Sequence, residues 1–333
     1  KECVTHGWTV DGEGKAMHKS LGNGVDPADV FNENGADILR LWAASADYHA
    51  DVRCSKEIFK QLSQNYLKFR NTCKFMLDNL VDFDPEKLTK PEDMPVLDRW
   101  LLTKLNELIE KAEQSYCDYE FHIITHAVND FCVTTLSSFY LDIVKDRLYC
   151  DGADSLSRRS AQTALYLTLH TLSKLFAPIL AFTCDEIWLA MPHTGEDDAR
   201  NVVLNEMNKP FTAYALTAEE MANWEKLAEV RTVVNGVLEA ARAEKKIGKS
   251  LEADVHLTVP AEDAFLANVD GKELADLLIV SQVEVTVGDS VKASAEEAAG
   301  TKCPRCWKHS TAANAEGLCP RCAEVMRSFP DLA

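Results

Sequence analysis

Four cysteines near the end of the chain have the residue type and spacing of a metal site. Cys303-Pro-Arg-Cys306 and Cys319-Pro-Arg-Cys322 are two C-x-x-C pairs separated by twelve residues. Each pair places two thiolates on one tight turn, and two such turns complete the tetrahedral sulfur coordination that structural zinc prefers. Free thiols or redox pairs are the alternative, but a duplicated pair favours zinc. Because four sulfur ligands leave the ion no open position, we expect a structural role.

The residues around these cysteines are basic. The span from Lys302 to Arg327 contains five lysine or arginine residues and two glutamates, a local charge of +3. A basic module with an aromatic side chain can hold phosphate and stack on a base, so Arg305, Trp307 and Arg321 are candidate nucleic-acid contacts. The alternative for Trp307 is a place in the small core of the module. About thirty residues bury too little apolar surface to fold alone, so metal binding is expected to supply the folding energy.

A second basic segment lies between Lys226 and Lys249, where six basic residues accompany three acidic ones. Its residues Arg242, Lys245 and Lys246 are candidate contacts for an RNA backbone. A solvated helix face is an equally good interpretation of the same charges.

A third candidate site is the stretch from Thr5 to Asn23, which has the order of elements that a phosphate-binding loop needs. A short β-prone run precedes a glycine-rich turn, a basic segment with Lys15 and Lys19, and the hydroxyl of Ser20. Glycine lets the backbone approach phosphate, and an ammonium group neutralises charge on a leaving pyrophosphate. Short basic loops are common, so these residues alone favour a solvated surface turn.

Length and composition limit what the chain can be. Its 333 residues are enough for two or three domains. The net charge of −18 excludes a generally basic nucleic-acid binder, so any RNA contact must use local positive patches. Seven cysteines are scattered singly, as reduced buried thiols are. With no signal region and no apolar run of about eighteen residues, we expect a cytoplasmic protein without membrane contact. The start at Lys1 suggests a piece of a longer protein.

Apolar residues recur at helical spacing in the middle of the chain, and in the part that follows apolar and polar residues alternate. Asp26 and Pro27 predict a helix start. Apolar residues then recur at helical spacing from about 55 to 191, which predicts four or five long helices in an antiparallel bundle. A helix over 224–246 is followed by alternating runs at 251–259 and 283–287, with a helix at 273–278 between them, and these predict a small α+β unit. An Ala-, Ser- and Glu-rich linker is expected at 291–300, with an exposed helix as the alternative.

The loop in the third candidate site gives the chain a family resemblance. Its run Met17-His18-Lys19-Ser20 resembles the second signature loop of class I aminoacyl-tRNA synthetases, in the isoleucyl-type setting. Lys19 corresponds to the second lysine of that loop, whereas Ala16 replaces the first lysine and His18 replaces the central serine. The resemblance implies that Lys19 binds the ATP phosphates during adenylate formation. It also implies that Met17 and Ser20 shape the loop.

Further similarity follows in the same order along the chain. Residues 138–147 and 177–188 are similar to the anticodon-binding bundle of the isoleucyl, valyl and leucyl synthetases. Residues 231–255 resemble the unit that follows this bundle in bacterial isoleucyl synthetases. The four cysteines are similar to the zinc finger that these synthetases share with formamidopyrimidine-DNA glycosylases. The resemblance favours the isoleucyl type, with a valyl or leucyl relative as the alternative.

The resemblance implies a mainly α fold. An antiparallel helical bundle of the class I synthetase anticodon-binding type is expected to precede a small α+β unit and a C-terminal four-cysteine zinc finger. The implied limits are 1–25 for the end of the catalytic nucleotide-binding domain, 26–54 for connecting helices, 55–222 for the bundle, 223–290 for the α+β junction, 291–300 for the linker and 301–333 for the zinc finger.

The function implied by the resemblance is binding of tRNA(Ile) by the bundle and the zinc finger. The loop at Lys19 would contribute to the activation of isoleucine with ATP and magnesium. One structural zinc ion per chain and a monomer are expected. These residues lack the His-Ile-Gly-His signature and most of the nucleotide-binding fold, so the chain alone is expected to bind tRNA without aminoacylating it. The alternatives are a non-enzymatic helical interaction module with a zinc-stabilised tail, and a subunit of a split synthetase.

Overall fold

The computed structural model describes residues 2–328, which form two compact units. The first unit comprises the chain up to Tyr140 together with Gln162–Ala215. The second unit comprises Leu141–Ala161 and the chain from Leu216 onward. The predicted domain limits divide the chain by family resemblance and stay a prediction. Lys1 of the predicted range 1–25 and residues 329–333 of the predicted range 301–333 lie outside the described residues.

The first unit begins with a small parallel sheet and two short helices. Strand β1 (Thr9–Val10) pairs in parallel with β2 (Val52–Arg53), and helices α1 (Pro27–Asn34) and α2 (Ala36–Ser45) lie between them in the chain. The carboxylate of Asp26 accepts a hydrogen bond from the Ala28 N–H, as an N-cap residue should, so the predicted helix start is confirmed.

Long helices follow, as the periodicity predicts. They are α3 (Lys56–Asp78), α4 (Val96–Cys117), α5 (Phe121–Asp130), a π-helical segment (Phe131–Tyr140), α6 (Leu141–Cys150), α7 (Leu156–Phe176) and α8 (Ala181–Ala190). The side chains of the predicted apolar stripes are buried, including those of Leu101, Leu105, Ile124, Leu165, Leu169 and Trp188. The mainly α fold is therefore confirmed. Among the described residues, no helix is both long and apolar enough to cross a membrane.

Besides α6, the second unit has a long helix, a three-stranded sheet and a terminal cysteine-rich module. Helix α9 (Ala218–Ala243) begins with a capping box between Thr217 and Glu220. Strands β3 (Ala253–Pro260), β4 (Gln282–Gly288) and β5 (Lys292–Glu297) form a sheet in the order β4-β3-β5, with α10 (Gly271–Leu278) between β3 and β4. The module contains β6 (Thr301–Lys302), β7 (His309–Ser310) and α11 (Pro320–Arg327).

The structure differs from the sequence prediction at 291–300, where a linker was expected. Strand β5 occupies most of this range and pairs antiparallel with β3 over six residues. Ala293 and Ala295 are half-buried, while Lys292 before them, Ser294 between them and the two glutamates after them are exposed. Alanine and glutamate have low β-propensity, but main-chain pairing with the buried strand β3 overrides it. The α+β unit therefore continues through this segment.

A buried carboxylate joins two helices of the first unit. Asp37 in α2 is 7% exposed and accepts hydrogen bonds from the Thr183 N–H at 2.7 Å, the Thr183 hydroxyl at 2.6 Å and the Phe182 N–H at 3.3 Å. These donors belong to the first turn of α8, whose backbone N–H groups have no partner within the helix. The carboxylate thus acts as a cap supplied by another helix.

We predict that Asp37→Ala destabilises the first unit by about 1–3 kcal/mol, because it leaves buried donors without an acceptor. The midpoint of thermal unfolding, followed by circular dichroism, should fall accordingly. Asp47→Ala removes an exposed carboxylate of the same unit and is the matched control, for which little change is expected. Equal midpoints for the two variants would contradict the capping role of Asp37.

Candidate metal centre and nucleic-acid interface

The cysteine-rich module brings its four predicted ligands together. Cys303 follows β6 and Cys306 ends the same turn, while Cys319 is the N-cap residue of α11 and Cys322 lies in its first turn. All four sulfur atoms lie within 4.8 Å of one another. Cys303 and Cys322 are fully buried, Cys306 is buried, and Cys319 is half-buried.

One sulfur-to-sulfur distance tests whether zinc fits. The Sγ atoms of Cys306 and Cys319 are 3.7 Å apart. A zinc–sulfur bond of about 2.3 Å in a tetrahedron gives an edge of about 3.8 Å, whereas a disulfide would need about 2.05 Å. The four residues therefore fit a structural zinc ion that they hold without an open position. The ion would supply cross-linking rather than reaction chemistry.

The surroundings of the thiols determine how readily they lose their protons. Burial raises the pKa of Cys303, but backbone N–H donors of Cys306, Cys319 and Arg305 outweigh it and lower that pKa to about 6. Burial raises the pKa of Cys306 and of Cys322. Because zinc binds thiolates, binding must release protons from these two thiols, and zinc affinity should fall as the pH is lowered.

The two arginines predicted to contact nucleic acid have partners within the second unit. Arg305 donates from Nη2 to the Tyr149 carbonyl oxygen at 3.1 Å and from Nη1 to the Cys150 carbonyl oxygen. Arg321 donates to the carboxylate of Asp146 at 2.6 and 2.8 Å and to that of Asp151 at 3.0 Å. Their RNA contacts stay a prediction, but these bonds would have to be shared or broken for RNA.

Trp307 does not lie in the core of the cysteine-rich module, which was the alternative to a nucleic-acid contact. Its side chain is 53% exposed, and its backbone has a positive φ of 66°. The small core is formed instead by Cys303, Cys306 and Cys322 with Cys150. The Nζ atom of Lys249 lies 5.0 Å from the centre of the Trp307 ring, within the range of a cation–π contact. Sequence reasoning placed Lys249 only at the margin of the basic segment and missed this pairing, because it joins residues 58 positions apart.

The basic segment forms an open cleft next to Lys249, the residue that contacts the Trp307 ring. Helix α9 ends at Ala243, earlier than predicted, and Lys245 has a positive φ of 59° in the turn that follows. The cleft is lined by Arg242, Lys245, Lys246, Ile247, Gly248, Glu252 and Glu297. The cleft therefore presents three basic side chains at the end of the helix.

Two of these basic side chains are already paired. Arg242 donates to Glu239 at 2.6 Å and to the Ser250 hydroxyl at 2.8 Å, and Lys246 lies 2.7 Å from Glu244. Within residues 2–328, Lys245 has no ion pair or hydrogen bond from its side chain. Lys245 is thus the basic side chain of the cleft that can meet a phosphate without losing a partner.

The turn that carries Lys249 is fixed by a carboxylate. Glu252 accepts hydrogen bonds from the Gly248 N–H at 2.9 Å and the Lys249 N–H at 3.2 Å, and Lys302 lies 2.6 Å from its other oxygen. The bond from Lys302 and the backbone donors lower the pKa of Glu252 to about 2. The carboxylate is therefore ionised at neutral pH and holds Lys249 in place.

The loop at Lys19 is held by two polar side chains that sequence reasoning did not single out. Asp11 accepts hydrogen bonds from the Lys15 N–H at 2.8 Å and from Asn23 Nδ2 at 2.8 Å. Asn23 also accepts from the His18 N–H at 2.9 Å. These bonds lower the pKa of Asp11. The Asp-Gly pair after a β-prone run is the sequence signal for such a turn.

The three predicted residues of this loop differ in their environment. Met17 is half-buried and packs against a cluster of buried apolar residues that includes Val30 and Ile38. Lys19 and Ser20 are exposed in a short 3₁₀ turn. Met17 therefore anchors the loop, and the ammonium group and the hydroxyl project to solvent where a phosphate could reach them. The nucleotide contacts of all three stay a prediction.

Known families match three parts of the chain. The model described as the anticodon-binding domain of tRNA ligase matches residues 98–257. The model for class I tRNA synthetases (I, L, M and V) matches residues 1–55. The model for the zinc finger found in FPG and IleRS matches residues 300–325, which contain all four cysteines.

Curated relatives match nearly the whole chain. The isoleucine–tRNA ligase of Moorella thermoacetica is 44% identical over 99% of the chain and 37% of its own length. Those of Syntrophotalea carbinolica and Caldicellulosiruptor saccharolyticus are both 45% identical, over 98% and 97% of the chain and 36% of their own length. The chain belongs to the isoleucyl-type class I aminoacyl-tRNA synthetases.

Membership of this family confirms the predicted resemblance and explains the cysteine site. The zinc finger match and the clustered thiols agree on zinc as the cofactor of the second unit. The chain spans little more than a third of the length of the synthetases it matches. The match to the class I synthetase model is confined to residues 1–55 of the chain.

We predict that Cys306→Ser lowers the zinc content of the purified chain from one ion to well below one, because a tetrahedral site loses one of its four ligands. Metal analysis after dialysis measures this. The control is Cys117→Ser, which changes an exposed cysteine outside the cluster and should leave the zinc content at one. A full complement of zinc in the Cys306 variant would exclude this residue as a ligand.

Proposed function

We propose that this chain is the tRNA-binding part of an isoleucine–tRNA ligase. It binds tRNA(Ile) through the anticodon-binding helices and the zinc-containing unit, and its loop at Lys19 serves the activation of isoleucine with ATP. The observation that carries the proposal is the match of residues 98–257 to the anticodon-binding domain of tRNA ligases, together with relatives over 40% identical that are isoleucine–tRNA ligases. By itself the chain binds tRNA without loading it, as a monomer in the cytoplasm.

The charge distribution supports a local RNA surface rather than general attraction. A net charge of −18 repels phosphate at long range. Lys245, Lys249 and Trp307 nevertheless lie in the second unit, two of them as a cation–π pair and one without a partner among the described side chains. A ring that is more than half exposed can stack on an unpaired base, and the ammonium groups can contact the adjacent phosphates.

The loop at Lys19 would act in the first step of the reaction. When isoleucine attacks the α-phosphate of ATP, negative charge builds on the departing pyrophosphate. The ammonium group of Lys19 would stabilise this charge, and magnesium bound to ATP would neutralise the other phosphate oxygens. Lys15 is paired with Glu13 at 2.6 Å and is less available for this role. The bonds of Asp11 and Asn23 hold the loop in the shape that presents Lys19.

We predict that Trp307→Ala weakens binding of tRNA(Ile) by about five- to 150-fold, since base–aromatic stacking contributes about 1–3 kcal/mol. Fluorescence anisotropy with labelled tRNA(Ile) measures the affinity. Trp8→Ala is the matched control, because Trp8 is 80% exposed in the first unit and should leave the affinity unchanged. Full affinity of the Trp307 variant with zinc bound would remove the ring from the RNA surface.

A separate prediction concerns the two lysines of the basic cleft. Lys245→Glu with Lys246→Glu should reduce tRNA(Ile) affinity and flatten its dependence on salt concentration, because fewer counterions are released on binding. The control pair Lys87→Glu with Lys209→Glu changes the net charge equally at two exposed lysines of the first unit. If both pairs reduce the affinity by the same factor, the effect is one of net charge and the cleft is not a binding surface.

Failure to bind tRNA(Ile) when zinc is fully bound would overturn the proposed function as a whole. A tRNA for a different amino acid, added in the same assay, distinguishes specific binding from attraction to any polyanion.

A further inference from the structure

The end of helix α6 is bonded to the metal-binding module. The last carbonyl groups of a helix have no partner within it, and they carry the negative end of the helix dipole. In α6 two of these, of Tyr149 and Cys150, accept hydrogen bonds from Arg305. A guanidinium from the module thus caps the helix.

A second arginine of the module binds carboxylates at the same helix end. Arg321 forms a two-pronged bond with Asp146 and a further bond with Asp151. All three side chains are largely buried, with exposed fractions of 22%, 16% and 7%. Burial alone would raise the pKa of Asp146, but the bond from Arg321 holds it below its ordinary value. The Asp146 carboxylate is therefore a charged partner of the guanidinium.

Arg305 also contacts a cysteine of the metal site, because its Nη1 atom lies 3.6 Å from Cys322 Sγ. In the chain each arginine lies between two ligand cysteines, Arg305 between Cys303 and Cys306 and Arg321 between Cys319 and Cys322. A zinc ion with four thiolates carries a net charge of −2, so a guanidinium group beside it is favourable. The same two side chains therefore join the two cysteine turns to the end of α6.

We propose that Arg305 and Arg321 are positioning residues that couple zinc binding to the order of the helix end at 146–151. With zinc bound, the two closed cysteine turns hold both guanidinium groups against the carbonyl and carboxylate oxygens of this segment. Without zinc the module loses the source of its folding energy, and the segment loses its caps. By linkage, a change at the helix end must alter zinc affinity by the same factor. This coupling is a property of the second unit and does not depend on RNA.

Hydrogen exchange with mass spectrometry on the full chain tests whether zinc binding orders residues 146–151. Removal of zinc with a chelator should raise the exchange rate of residues 146–151 at least tenfold while leaving α4 of the first unit unchanged. Arg321→Ala should raise exchange at 146–151 with zinc still present. Arg327→Ala is the matched control, because Arg327 is an exposed arginine of the same helix and its loss should leave that segment as protected as in the unaltered chain.

Asp146→Asn tests the reverse direction and stays informative if the Arg321 variant does not fold. This substitution alters helix α6 and leaves the cysteine-rich module unchanged. Loss of a residue that supports the metal ligands typically lowers metal affinity about 10–100-fold. Competition with a chromogenic chelator measures this value. Unaltered zinc affinity in Asp146→Asn, or unchanged exchange at 146–151 after zinc removal, would overturn the proposal. Neither result would bear on tRNA binding, which is measured separately.

Discussion

Four sulfur atoms around one ion replace a hydrophobic core in the last part of the chain. Residues 301–328 contain two strands of two residues each and one short helix, which bury little apolar surface. Metal coordination supplies the cross-link that such a segment cannot obtain from packing. Closure of this site also fixes the positions of Trp307, Arg305 and Arg321, which lie within or next to the two C-x-x-C turns.

Many of the basic side chains in the second unit form hydrogen bonds or ion pairs within that unit. The sequence predicts RNA contacts for Arg305, Arg321 and Arg242. In the structure each of them donates hydrogen bonds to nearby carbonyl, hydroxyl or carboxylate oxygens. Buried arginine pairs have fixed geometry, and breaking one exposes an uncompensated charge. A count of basic residues therefore overestimates the surface that is free for phosphate. Among the predicted RNA contacts, the side chains of Lys245 and of Trp307 with its partner Lys249 form no competing bond to an oxygen atom in the part of the chain that the structure describes.

The sequence predicts the elements whose signal is local. Helical periodicity locates the long helices, alternation locates β3, and the cysteine spacing locates the metal site, because each depends on residues a few positions apart. The π-helical segment at Phe131–Tyr140 has the same apolar stripe as an α-helix and differs only in its hydrogen bonding. The Lys249–Trp307 contact and the Arg321–Asp146 bond join distant segments, so no local pattern contains them. The bonds of Asp11 and Asn23 were missed because polar turn residues have many other uses.

Strand β5 shows why an unpromising composition can suit its place. It lies at one of the two edges of the sheet, where unpaired backbone groups invite another chain to add a strand. Lys292, Glu296 and Glu297 are exposed along it, and another strand could pair there only by desolvating these charges. The same residues that give this segment the composition of a linker thus disfavour strand addition at this edge.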